Sequence, residues 1–228
     1  MNACLIRCTK CPRLVEFRQS VATSKRNSYK DQEYWGKPVP GFGDINGELL
    51  IIGLAPGAHG SNRTGRVFTG DHSGKFLYGV LHEAGLSTKP SSENRYDDLR
   101  LKECYITAAV RCAPPENKPT KEELENCSYF LDAEISFLRD VKVVVALGKI
   151  AFDAFIQHLR RQKIEIPKPA PKFKHGAIIK FNNGQTLITS YHPSRQNTQT
   201  GKLTREMFLD IFLTAKNLLE DSSEDLLL

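Results

Sequence analysis

Long apolar stretches are missing from this chain of 228 residues. No run reaches the roughly 18 residues a membrane-spanning helix needs, so the sequence excludes a bilayer-crossing function. The opening MNACLIRCTKCPRL lacks an apolar core of signal-peptide length, so export is not expected and a cytoplasmic location is. No internal repeat is visible. Two nucleotide-cofactor signatures are also absent: neither G-x-G-x-x-G nor G-x4-G-K-[ST] occurs in the glycine-rich stretches. Strong charge imbalance is lacking too, since 32 Lys and Arg stand against 26 Asp and Glu for a net +6. Four of those acids lie in the terminal EDSSEDLLL, so the remainder is more basic than the total implies. That balance suits a polyanionic partner. Nothing in the sequence singles out a protein partner.

What is present reads as one soluble α/β domain over residues 1–220, followed by an acidic tail at 221–228 with no expected order. Nearly continuous apolar runs at 48–55 (ELLIIGLA), 104–111 (CYITAAVR), 142–148 (KVVVALG) and 185–191 (QTLITSY) predict strands covered on both faces, as in a parallel sheet. A shorter run at 177–181 (AIIKF) predicts an edge pair. Helical spacing falls between them at 74–83, 120–138, 149–162 and 204–219. Thr120 followed by Glu123 predicts a capping box. Alternating strands and helices predict a three-layer α/β/α fold around a central, mainly parallel four-stranded sheet.

Six cysteines are present, and four form two groups: Cys8 and Cys11 as C-x2-C, then Cys112 and, fourteen residues between, Cys127. Clustered cysteines in an intracellular chain point to metal binding before disulfides, although intracellular hyperthermophile proteins do use disulfides. Thiolates are soft ligands for zinc or for iron–sulfur centres, and spacing alone does not choose between these. Cys104, inside a predicted strand, reads as core, and Cys4 as a spare. Metal held by the four would tie the N-terminal segment to the sheet across about a hundred residues.

Three loops leave the carboxyl ends of predicted strands, where open α/β sheets bind ligands. The first, GLAPGAHGSNRTGRVFTGDHSG, supplies Asp71 to orient or activate water, Phe68 to stack on a ring, and Arg63 and Arg66 to contact phosphates; Asp71 is equally suited to capping the next helix. The last, YHPSRQNTQTGKLT, supplies His192, Ser194, Arg195 and Lys202. Between them CAPPENKPT offers Asn117 in a proline-stiffened turn.

These loops together resemble the uracil-DNA glycosylase superfamily. GLAPGAHGSNRTGRVFTGD and HPSRQNTQTGKLT are similar to the two signature motifs of its family-5 (type B) members from thermophilic bacteria and archaea. The C-x2-C…C-x14-C pattern resembles the [4Fe–4S] site of the fourth and fifth families. The resemblance implies base excision by hydrolysis of the N-glycosidic bond of uracil flipped out of DNA, leaving an abasic site, with DNA as partner. It implies Asp71, His192 and Asn117 as catalytic. Gly53, Ala55, Gly57, His59, Phe68, Arg63, Arg66, Ser194, Arg195 and Lys202 become substrate-binding, and Cys8, Cys11, Cys112 and Cys127 hold a structural [4Fe–4S] cluster. Two positions depart from the fourth family: Leu54 stands at an acidic position and Ala108 where an asparagine would read uracil. By resemblance to the fifth family, this goes with a wider range including hydroxymethyluracil and hypoxanthine. A non-catalytic nucleic-acid-binding module with a structural metal is the alternative from another class.

Overall fold

A computed structural model describes residues 2–224 of the protein. Four strands are buried along their whole length: β2 (Leu49–Gly53), β3 (Cys104–Ala108), β4 (Val143–Leu147) and β6 (Thr186–Ser190). Their β-branched and aliphatic side chains suit a sheet covered on both faces. β2 pairs in parallel with β3 and β4, and β4 with β6.

The sheet has six strands rather than four. β1 (Phe42–Gly43) joins β3 and β5 (Ile178–Lys180) joins β6, both antiparallel, giving the order β1-β3-β2-β4-β6-β5. The expected edge pair is therefore β5. β1 has only two residues and no apolar run, so periodicity does not reveal it; its register against β3 places it.

The period-two alternation of each strand sorts its side chains into two cores. Leu49, Ile51, Val143, Val145 and Ile188 face α4 (His72–Glu83) and α8 (Arg205–Glu224). Leu50, Ile52, Val144, Ala146 and Leu187 face α5 (Lys121–Phe137) and α6 (Lys149–Arg161). The result is the expected α/β/α sandwich. The capping box at α5 is formed: the Glu123 amide donates to Thr120 Oγ1 at 3.2 Å, and the Thr120 amide to Glu123 Oε2 at 2.8 Å.

Two N-terminal helices, α1 (Asn2–Ile6) and α2 (Pro12–Ser24), were not legible from apolar spacing. α2 buries Leu14, Arg18 and Val21, a stripe in which one member is charged. α8 continues through Glu224, so residues 221–224 of the expected tail extend a helix. The rest of that tail lies outside the described residues.

Because β2, β3, β4 and β6 are parallel, the loops that follow them open on one edge. The chain advances from β2 to β3 on one side, then crosses to β4 on the other. That reversal leaves a crevice at the carboxyl ends of β2 and β4.

Candidate active site

The loop after β2 begins by folding a short helix, α3 (Ser61–Thr64), before reaching α4. Asp71 is the N-cap of α4, and its Oδ1 accepts from the Gly74 amide at 2.9 Å. Capping therefore uses one carboxylate oxygen. The other, Oδ2, lies against the backbone of Gly57 and Gly60: a Cβ on Gly60 would sit 2.0 Å from Oδ2 and 2.6 Å from Cγ. Burial raises the Asp71 carboxyl above its ordinary range, outweighing the amide bonds of Gly74 and Ser73 and the electrostatic influence of the nearby His72 and Arg63 side chains. Gly60→Ala is expected to push the carboxylate aside. It should cost about 1–3 kcal/mol by overpacking and lose more activity than its melting temperature alone explains, a comparison made by thermal unfolding beside excision rates.

Phe68, at φ 49°, rests on β2; a Cβ on Gly53 would meet its ring at 2.7 Å. The loop after β6 brings His192 to it, ring centroids 6.0 Å apart and tilted by 31°. Burial pulls the His192 imidazole down to about 4, so the ring is neutral at pH 7. Its backbone carbonyl is held by Asn197 Nδ2 and the Ser194 amide, each at 2.8 Å. The ring nitrogens make no hydrogen bond among the described residues. A further bond joins the two loops: His72 Nε2 lies 2.8 Å from Thr198 Oγ1. Phe68, Asp71 and His192 are thus brought to one edge of the sheet by the β2 and β6 loops. Ala108, at the end of β3, is buried and pairs with Gly53.

Other sequence expectations fall differently. Asn117 stands exposed at φ 57° in the loop after β3; its backbone N–H donates to the Pro114 carbonyl at 3.2 Å, and its side-chain amide makes no hydrogen bond among the described residues. Ala55 and Gly57 are half-buried in the β2 loop. His59 is tied through Nδ1 to the Tyr34 hydroxyl at 3.0 Å, and burial, with Arg26 and Arg63 nearby, lowers its imidazole pKa. Ser194 caps α7 (Arg195–Gln199) by accepting from the Asn197 amide at 3.3 Å.

The phosphate-contact expectation needs correction for two arginines. Arg63 is buried, donating to the His59 carbonyl at 2.8 Å, Gln32 Oε1 at 2.6 Å and the Gly70 carbonyl at 2.9 Å, with its guanidinium 4.0 Å from the Tyr29 ring. Arg66 is buried on Asp97 Oδ1 and Ser92 Oγ, each at 2.5 Å. Their donors are spent inside the protein, where they hold the loop in shape. Arg195 and Lys202 remain exposed, Lys202 with its ammonium 4.8 Å from the Tyr191 ring. His175, not singled out by sequence, stacks on Tyr191 at 4.9 Å and accepts from its amide at 3.1 Å. Its partner lies sixteen residues on, so only the chain path over the β6 end reveals it.

Cys8, Cys11, Cys112 and Cys127 line a single cavity of about 20 Å³ beside α2, with Leu5 and Leu14 in the wall. All are free thiols. Burial pushes Cys112 up to about 12 and Cys127 up to about 11, and the thiols' mutual repulsion adds to this. Two donors point at the sulfurs: the Arg18 guanidinium reaches Cys112 Sγ at 3.2 Å and the Arg111 amide Cys127 Sγ at 3.3 Å. No group of three or more His, Cys, Asp or Glu among the described residues closes tightly enough round one point to hold a metal ion. Cys104 is buried in β3, as expected, and Cys4 is exposed.

A crevice at the carboxyl ends of a doubly wound sheet, walled by an aromatic ring and an uncharged imidazole, is where an α/β enzyme takes a flat ligand. The Uracil DNA glycosylase superfamily model matches residues 40–216. The chain is 55% identical to a type-5 uracil-DNA glycosylase of Thermus thermophilus over 214 residues, 94% of each chain. It is 44% identical to one of Pyrobaculum aerophilum over 211 residues, 92% of this chain and 88% of that one. A type-4 uracil-DNA glycosylase of Thermotoga maritima is 30% identical over 183 residues, 80% of this chain and 83% of its own. The chain belongs to the uracil-DNA glycosylase superfamily. No helix among the described residues is long and apolar enough to cross a membrane.

Proposed function

We propose that the protein excises uracil from DNA by hydrolysing its N-glycosidic bond, leaving an abasic site as a monofunctional repair glycosylase. The observation that carries this reading is the meeting of Phe68 and His192, from loops 124 residues apart, beside Asp71. A base must leave the stack to be reached. Phe68 then offers a face to stack on. His192, neutral and with free ring nitrogens, donates a hydrogen bond to the departing base as it gains negative charge. Asp71 positions water and offsets positive charge on the sugar, its Oδ2 facing the loop at Gly57 and Gly60 and Oδ1 held by the helix amide. Asn117, solvent-facing on the neighbouring loop, helps place that water. Arg195 and Lys202 contact backbone phosphates.

Ala108 supports a wider substrate range. A methyl group there offers no hydrogen bond to a base edge, so uracil is not singled out from hypoxanthine or hydroxymethyluracil at that position. Labelled duplexes carrying U·G, U·A or hypoxanthine·T, treated with alkali after incubation, test both points. Abasic sites from uracil are expected, and from hypoxanthine as well. No strand cleavage on any of them by folded protein would overturn the glycosylase reading.

The four cysteines fit a [4Fe–4S] cluster. All four donors are soft thiols sharing one cavity with no carboxylate or imidazole in its wall, the donor chemistry such a cluster takes. When bound, the cluster supplies cross-linking of α2 to the sheet and no redox step, since hydrolysis transfers no electrons. Visible absorption with equal iron and sulfide on analysis is the expected result. Zinc in a colourless protein would refute it.

A further inference from the structure

We infer that Arg18 is a positioning residue that ties the four-cysteine cavity to the loop carrying Asp71, an inference that rests on the iron–sulfur reading above. Arg18 is 3% exposed, and no carboxylate pairs with it among the described residues. Its guanidinium donates instead to Cys112 Sγ and to the Cys8 carbonyl, each at 3.2 Å, while its Nε has no partner. An unpaired buried cation is costly. It makes sense where the neighbouring sulfurs carry negative charge, as thiolates ligating a cluster do. Arg13, on the same helix, shows the ordinary arrangement, with its guanidinium spent on Glu123 at 2.6–2.7 Å.

The backbone end of Arg18 reaches the loop that carries Asp71. Its backbone carbonyl accepts from Asn62 Nδ2 at 3.2 Å, and Asn62 is fully buried in α3. The Asn62 amide donates to the Gly57 carbonyl at 3.0 Å, and Gly57 is one of the two glycines against which Asp71 Oδ2 lies. A continuous path therefore runs from Cys112 through Arg18, Asn62 and Gly57 to Asp71. Seating the guanidinium on the sulfur fixes the height of α2, and with it the floor under the carboxylate. The cluster's clamp thereby acts on the catalytic loop as well as on the N-terminal segment.

Arg18→Met tests this in the iron-loaded protein, with Arg13→Met as the comparison. Losing a donor and a positive charge beside the sulfur should lower the cluster's reduction potential. Hydrogen exchange over residues 57–64 should speed up, and kcat should fall about tenfold with KM little changed. Arg13→Met, which removes a cation from the same helix but no bond to sulfur, should leave the potential where it was. Arg18→Lys keeps the charge and one donor and should fall between parent and methionine variant; it carries the test if the methionine variant does not fold. Loaded Arg18 variants with parental potential and parental exchange would overturn the inference alone. A parent protein devoid of iron and sulfide would overturn the iron–sulfur reading, and the inference with it.

Discussion

Asp71→Asn is expected to lower the excision rate by about 10³-fold while leaving the protein folded. Asparagine still offers an oxygen to the Gly74 amide, now held by Asp71 Oδ1 at 2.9 Å, and asparagine is among the best N-caps. What it cannot do is carry the negative charge proposed to orient water and face the sugar. Single-turnover excision from a U·G duplex measures the loss; a rate within a few-fold of the parent would remove Asp71 from the chemistry and leave it a helix cap. Stability should move the opposite way. Burial raises the folded-state pKa of Asp71, so its contribution to stability is fully present below the unfolded pKa and is lost as pH rises through the folded one. The asparagine variant should therefore melt at or above the parent at neutral pH, and that advantage should shrink on acidification. The parent's activity should rise with pH through a limb above the ordinary carboxylate range, a limb missing in the variant. His192, already neutral down to about 4, should add no limb between neutrality and that point.

Glu134→Ala is expected to cost about 3–5 kcal/mol of folding free energy. Arg111 and Glu134 form an ion pair between the loop after β3 and α5, each side chain 1% exposed. Glu134 also accepts from the Tyr105 hydroxyl at 3.1 Å and from Thr107 Oγ1. Removing the carboxylate strands a guanidinium whose Nε already lacks a partner, together with two hydroxyls. The damage should spread to the cysteine cavity, because the Arg111 amide donates to Cys127 Sγ and Cys112 is the next residue. Denaturant unfolding at neutral pH gives the number. A loss under about 1 kcal/mol would mean that water reaches the pair and that it behaves like a surface bridge. Glu134→Gln, which keeps the shape and one acceptor, should lose less than alanine.

Much of the architecture was written locally. Unbroken aliphatic runs such as LLIIG and VVVAL specify strands buried on both faces, because no alternation leaves a polar side for water. The Thr120 and Glu123 spacing specifies where α5 starts, because both halves of that cap lie within one helical turn. The positions of Asp71, Phe68 and His192 at strand exits followed from those strands, and so did their common edge, since parallel strands end on the same side. β1, two residues long, had no such signature and exists because β3 offers it an edge.

What the sequence could not settle was where long charged side chains go. Arg63 and Arg66 sit in a basic, glycine-rich loop and read as phosphate contacts, yet they are buried on carbonyls and on Asp97. Arg195 and Lys202, of the same chemistry, stay in solvent. Arg18 is one more cation on a short helix until folding sets it against Cys112 Sγ. The sequence by itself determined the strands, the sheet type, the cysteine pairs and the loops that carry the chemistry, because backbone propensity and hydrophobic period act over a few residues. Only the tertiary structure decided which of those loop residues stay in solvent and which brace the loop from inside, because an arginine's partner is chosen by what lies within reach after the chain has packed.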